Sequence, residues 1–220
     1  MIEKTITKII KVGKFEHIHS LYEDGLVYCN PMEFFKICEK EDARFDRSEA
    51  ATNITQVSQI ILQGNNGQEF RFSKDPKKGE IKLKSAFKYD HIHDFNGNLF
   101  CCTAVYQDNT KDFIEFDERF ADFGDTILLI EKPMKFVLAL QDCLKSMNLG
   151  YKMDIVKYYD KKSHDGKLDF FSKPDEYSFQ NELRLFIEND HHEPITLHLP
   201  PLKEYSSLFK LEDILLLNKK

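Results

Sequence analysis

Eight consecutive residues, Leu99-Phe-Cys-Cys-Thr-Ala-Val-Tyr106, carry no charge and almost no polarity. A strand with one wet face alternates apolar and polar side chains, whereas a strand buried on both faces does not. The run therefore predicts a central strand, and the rest of the chain must supply a layer on each side of it. Cys101 and Cys102 lie inside the run and read as packed core thiols rather than nucleophiles. The five cysteines are odd in number and irregularly spaced, which argues against a disulfide framework, and all five read as reduced.

At 220 residues, with 41% hydrophobic and 31% charged, the chain is long enough for one sizeable core, and a single domain over residues 1–220 is expected. No apolar run approaches the roughly 18 residues of a membrane span, and Met-Ile-Glu-Lys-Thr-Ile at the start lacks the basic-then-apolar order of a signal peptide. A cytoplasmic location and no membrane partner follow as expectations. The net charge of −6 disfavours nonspecific attraction to nucleic acid. The lysine-rich stretch from Lys74 to Lys88 is the local exception. Alternation there puts Lys82, Lys84 and Lys88 on one side, the wet face of a strand or, as the alternative, a nucleic-acid surface.

Along the chain, Phe15–His19 and Leu26–Cys29 read as strands around a turn at Gly25. A helix then opens with Asn30 as cap, Pro31 in the first turn and Glu33 reaching back to the cap. Gly64-Asn-Asn-Gly67 joins two short strands into an exposed hairpin within residues 54–73. Strands are expected at Ile81–Tyr89, Thr126–Ile130 and Met153–Tyr159, with a helix from Pro133 to Gly150 and a short terminal helix over Leu211–Leu217. The order predicts an α+β fold, with a mostly antiparallel or mixed sheet and a few helices, and no regular βαβ alternation.

One segment, Tyr177-Ser-Phe-Gln-Asn-Glu-Leu-Arg-Leu-Phe-Ile187, alternates so that Ser178, Gln180, Glu182 and Arg184 share a face. An amide, a carboxylate and a guanidinium in a row could line a pocket; the alternative is a solvated face with Glu182 and Arg184 partnered across strands. No glycine-rich phosphate loop, nucleophile elbow or paired C-x-x-C is present. The pairs His17-Ile-His19 and His91-Ile-His93, the second flanked by Asp90 and Asp94, could each offer two metal ligands. Neither brings a third at regular spacing, and no metal site is assigned.

Gly25-Leu-Val-Tyr-Cys-Asn-Pro31, Phe100-Cys-Cys-Thr103, Val156-Lys-Tyr158, Lys173 and the late Glu182-Leu-Arg184 together resemble a widespread prokaryotic domain family of uncharacterised function that ends in a strand bearing Glu-x-Arg. Where that family has Asn-Asp-Pro after the first helix, this chain has Asp42-Ala-Arg-Phe-Asp46. More distantly the chain resembles the ADP-ribosyltransferases, in the order of an early histidine (His17 or His19), a hydroxyl on a central strand (Thr103) and a late Gln180-x-Glu182. The histidine-to-glycine spacing is shorter than in those enzymes, and Thr103 has no serine neighbour.

The second resemblance implies a split-sheet fold and NAD as substrate. It implies Glu182 and Gln180 as catalytic residues, with His17, His19, Thr103, Tyr106 and Arg184 around the dinucleotide. Glu182 would hydrogen-bond the ribose 2-hydroxyl as positive charge develops on the sugar, Gln180 would orient the acceptor, Tyr106 or a nearby Phe would stack on nicotinamide, and Arg184 would hold Glu182 ionised. A toxin or phage-defence effector of a bacterium or phage is the expected setting, acting on a protein or nucleic-acid acceptor, with a homo-oligomer compatible. Two other readings stand beside it: a regulatory or interaction domain in which Glu182 and Arg184 are structural, and a nucleic-acid-processing enzyme in which Asp108, Asp112 and Glu115 gather Mg²⁺.

Overall fold

The computed structural model describes residues 5–37, 48, 51–91, 97–106 and 116–217. In chain order the elements are β1 (Ile6–Gly13), α1 (Phe15–Asp24), β2 (Leu26–Pro31), α2 (Met32–Ile37), β3 (Ala51–Gln56), β4 (Gln59–Gln63), β5 (Glu69–Ser73), β6 (Ile81–Lys82), β7 (Phe87–His91) and β8 (Gly97–Tyr106). There follow β9 (Thr126–Ile130), α3 (Pro133–Ser146), β10 (Tyr151–Ile155), β11 (Lys157–Tyr159), β12 (Gly166–Lys167), β13 (Ser172–Pro174), β14 (Glu182–Glu188), β15 (Ile195–His198), β16 (Ser206–Lys210) and α4 (Leu211–Leu217). Short 3-10 turns cover Glu118–Phe123, Asp175–Gln180 and Leu202–Glu204.

The fold is mixed α+β with mostly antiparallel sheets and few helices. The main sheet runs β10-β14-β8-β1-β9-β16, with β2 joining β8 and β15 joining β2. Smaller sheets are β12-β3-β7, β4-β5-β6 and the pair β11-β13. Only β5 with β6 and β11 with β13 pair in parallel among the described strands. Among the described residues no helix is long and apolar enough to cross a membrane.

β8 lies inside the main sheet between β14 and β1, as its continuous apolarity predicts, and its alternate residues enter different clusters. Phe100, Cys102 and Ala104 face one way, into a core with Ile9 of β1, Leu183, Leu185 and Ile187 of β14, Ile18 and Leu21 of α1, and Phe136, Leu140 and Leu144 of α3. On the other face Leu99 packs with Met32, Phe171 and Phe186. Further along that face Ile10 and Val12 of β1 pack with Phe116, Phe120, Ile127 and Leu211.

Several local expectations are corrected. Phe15–His19 is the start of α1 and not a strand: Ile18 and Leu21, three apart, are its buried residues, and Gly25 closes it with a left-handed φ of 68° and an N–H bonded to Ser20 O. Asn30 and Pro31 end β2, paired with Leu99 and Asn98, so α2 begins at Met32 without the expected cap. Tyr177–Gln180 belongs to a 3-10 turn entered from Pro174 and ended by Asn181 at φ 40°, so the alternating strand starts only at Glu182. Ile81–Tyr89 divides into β6 and β7, and Met153–Tyr159 into β10 and β11. The Gly64–Gly67 hairpin, β9, α3 and α4 form as expected, although α3 ends ahead of Gly150, with Asn148 at φ 54°.

Candidate functional site

β14 pairs with β8 so that Glu182 stands opposite Thr103, Arg184 opposite Cys101 and Phe186 opposite Leu99. Paired residues share a sheet face. Glu182 and Arg184 therefore project away from the α3 side, on the face where Ile10 and Phe186 enter their apolar clusters. The turn between β13 and β14 brings Lys173 and Gln180 to the same place.

The four side chains form one hydrogen-bonded group. Arg184 Nε donates to Glu182 Oε1 at 2.7 Å, and Lys173 Nζ donates to Glu182 Oε2 at 3.1 Å and to Gln180 Oε1 at 2.9 Å. Arg184 Nη1 donates to the carbonyl of Phe170 at 2.6 Å, and the Cys101 thiol hydrogen-bonds the Glu182 carboxylate. The backbone N–H of Glu182 donates to Tyr158 Oη at 2.9 Å. Lys173 Nζ also lies 4.8 Å from the centre of the Tyr177 ring. Relative exposure is 3% for Glu182, 1% for Arg184 and 6% for both Lys173 and Gln180. The solvated-face reading of Glu182 and Arg184 is thereby overturned.

Burial by itself would push the Glu182 carboxyl up, but the charges of Arg184 and Lys173, with hydrogen bonds from Arg184 and Cys101, outweigh it and hold the group well below the usual carboxylate range. Burial pushes the Cys101 thiol up, and the Glu182 charge adds to that. Tyr158 is likewise raised, chiefly by burial. The site thus holds one firmly ionised carboxylate among groups that keep their protons.

Among the described residues, Gln180 carries the one buried side-chain polar atom without a hydrogen-bond partner. Lys173 can only donate, so the amide oxygen must face it. Gln180 Nε2 then points elsewhere and is buried without an acceptor. Such an orphaned donor costs about 1–3 kcal/mol.

Of the residues singled out in the sequence, the structure brings Glu182, Gln180, Arg184 and Thr103 together. It does not bring the others. His17 and His19 are exposed on α1, the helix that covers the opposite face through Ile18 and Leu21. Tyr106 packs against that same opposite core, three residues and therefore one face away from Thr103. The strand argument for His17-Ile-His19 fails because residues two apart on a helix diverge. Asp90 and His91 end β7, whereas His93, Asp94, Asp108, Asp112, Glu115 and the Asp42–Asp46 segment lie outside the described residues. Among the described residues no three His, Cys, Asp or Glu side chains gather to hold a metal ion.

Lys173 and Tyr158 were not singled out as site residues. Lys173 sits on a three-residue strand beside a proline, where no periodicity marks it. Tyr158 faces Glu182 only because β10 breaks at Val156, whose N–H bonds Glu182 O at 2.9 Å.

No protein-family profile, curated protein or solved structure matches the chain.

Proposed function

We propose that the Glu182 cluster is the site of an NAD-dependent ADP-ribosyltransferase-like reaction on a protein or nucleic-acid acceptor. The observation that carries this reading is a carboxylate buried between Arg184 and Lys173, opposite Thr103 on the neighbouring strand and beside the unpartnered amide nitrogen of Gln180. In the reaction the bond between ribose C1′ and the nicotinamide nitrogen breaks, nicotinamide leaves with the bonding pair, and an acceptor nucleophile bonds C1′ and loses its proton. Positive charge grows on the sugar as the leaving group departs. A fixed carboxylate hydrogen-bonded to the 2-hydroxyl is stabilising there, the more so in a site from which water is excluded.

The roles fall to this chain's residues as follows. Glu182 accepts from the ribose hydroxyl, Arg184 positions Glu182, Gln180 Nε2 donates to an oxygen of the substrate or acceptor, and Thr103 lines the floor. Lys173 holds the Oε2 position and must give way to the ribose hydroxyl there. The split-sheet fold expected of such enzymes belongs to the same proposal, and it draws support from β14, β8 and β1 lying side by side, late, central and first in the chain. Ile10 stands opposite Thr103 on β1, so the early histidines take no part in the reading. The toxin or phage-defence setting belongs to it as well.

A second reading, a regulatory or interaction domain without catalysis, is favoured by one observation: both Glu182 oxygens are engaged and the residue is 3% exposed. Calorimetry separates the two. Titration of NAD into the protein gives a saturable heat under the transferase reading, and Gln180→Met weakens it by about tenfold, the loss of one buried hydrogen bond. No heat with the folded wild type would leave the interaction domain as the function.

A further inference from the structure

The small sheet β4-β5-β6 has an arrangement that the Glu182 site does not explain. Ile60 pairs with Phe72 and Leu62 with Phe70 across the hairpin, and Phe72 pairs with Ile81. All five therefore share one face. The opposite face takes Gln59, Ile61, Gln63, Glu69, Arg71 and Lys82. Among the described residues nothing covers most of this apolar face: Leu62 is 53% exposed, Phe70 44% and Ile81 49%, with Ile60 and Phe72 half-buried.

β4 is also an edge. Among the described residues β5 is its one sheet neighbour, and Gln59, Ile61, Leu62 and Gln63 are exposed. Natural edge strands are usually shielded by a charge, a proline or a bulge, because bare N–H and C=O groups recruit another strand. Gln59-Ile-Ile-Leu-Gln63 has none of these, and it is nearly symmetric about Ile61.

From this we infer that β4 pairs antiparallel with β4 of a second copy of the chain, on a two-fold axis at Ile61. In that register Gln59 faces Gln63 of the other copy, Ile60 faces Leu62, and Ile61 faces itself. The unmet backbone groups of both edges are satisfied, and no like charges oppose each other in the seam. The two apolar faces fall on the same side, so Ile60 and Leu62 bury against their counterparts. The exposed Ile61, isolated among polar neighbours on the other face, gains an apolar contact. The operation is closed, giving a dimer and not a fibre. A seam of two five-residue strands buries less than the roughly 1,200 Å² of a stable standard interface, so the association is weak and concentration-dependent.

Disulfide trapping tests the register. Facing residues in an antiparallel pair have Cα atoms about 4.5–5.5 Å apart, within reach of a disulfide. Under mild oxidation Ile61→Cys should give a covalent dimer beyond any formed by the wild type. Gln59→Cys should not crosslink with itself but should do so when mixed with Gln63→Cys. Sedimentation of the wild type should show mass rising toward a dimer with concentration, and Ile61→Lys, on an exposed side chain that leaves the fold intact, should abolish the rise. A wild type that stays monomeric, crosslinking equal at positions 59 and 61, or assemblies beyond a dimer would each overturn the inference.

Discussion

Arg184 reaches back two residues along β14 to place its Nε 2.7 Å from Oε1 of Glu182, with Arg184 1% and Glu182 3% exposed. A pair this deeply buried gains little over an apolar replacement of both partners, but removing one partner strands the other. Glu182→Gln leaves Arg184 and Lys173 facing a neutral amide and should cost about 3 kcal/mol of stability. Urea denaturation followed by circular dichroism reads this as a lowered midpoint with an unchanged slope.

The same carboxylate sets an acid limb. Its folded value is depressed below the ordinary 4.5, so it contributes stability that is fully present above that value and is lost as pH falls through the folded one. Cys101 and Tyr158, both raised by burial, keep their protons across that window. The unfolding midpoint of the wild type should therefore drop steadily below about pH 4.5, with a flatter limb in Glu182→Gln. Parallel acid limbs in the two proteins would show that Glu182 is not held ionised by its partners.

Three thiols should be inert in the folded protein. Burial pushes Cys29 and Cys102 up to about 12 and raises Cys101 further, so at pH 8 the thiolate fraction is on the order of one in ten thousand. Iodoacetamide labelling followed by peptide mass spectrometry should leave Cys29, Cys101 and Cys102 unmodified in the native state and modify them in urea. Rapid native labelling of Cys101 would contradict its place beside Glu182.

Gly25 sits where the chain turns from α1 into β2 at φ 68°, and a Cβ there would run into the backbone carbonyl of Leu199. Leu199 N–H bonds Gly25 O at 2.9 Å, which holds the Leu199 backbone against the turn, so making room costs that bond. Gly25→Ala should destabilise by more than about 1 kcal/mol, seen as a lower melting temperature. A neutral effect would mean that this turn relaxes freely.

Much of the fold is legible in the sequence where one rule dominates. β8 follows from its unbroken apolarity, α3 from Pro133 and its apolar spacing, and the β4–β5 hairpin from its paired glycines. The errors fall where local patterns compete. Phe15-Glu-His-Ile-His19 alternates over five residues, but Ile18 and Leu21 supply the helical contact that tertiary packing rewards. Tyr177–Gln180 alternates too, yet Pro174 and the left-handed Asn181 wind it into a turn. The Glu182–Arg184 pair was visible from its spacing, and Gln180 joins it through the turn instead of the strand. Lys173 belongs to the pattern of the family resemblance, but its contact with Glu182 is not legible in the sequence, because a lysine's partner nine residues away depends on the path of the turn between them.

The proposed action of Glu182 on the nicotinamide bond of NAD is read by nicotinamide release. Purified protein is incubated with NAD, with and without cell extract as acceptor, beside Glu182→Gln at a temperature where circular dichroism shows the variant folded. The wild type should release nicotinamide and the variant at least about a hundredfold less, the scale of losing a group that acts in the transition state. No release by the folded wild type under either condition, or equal release by the two proteins, would contradict it.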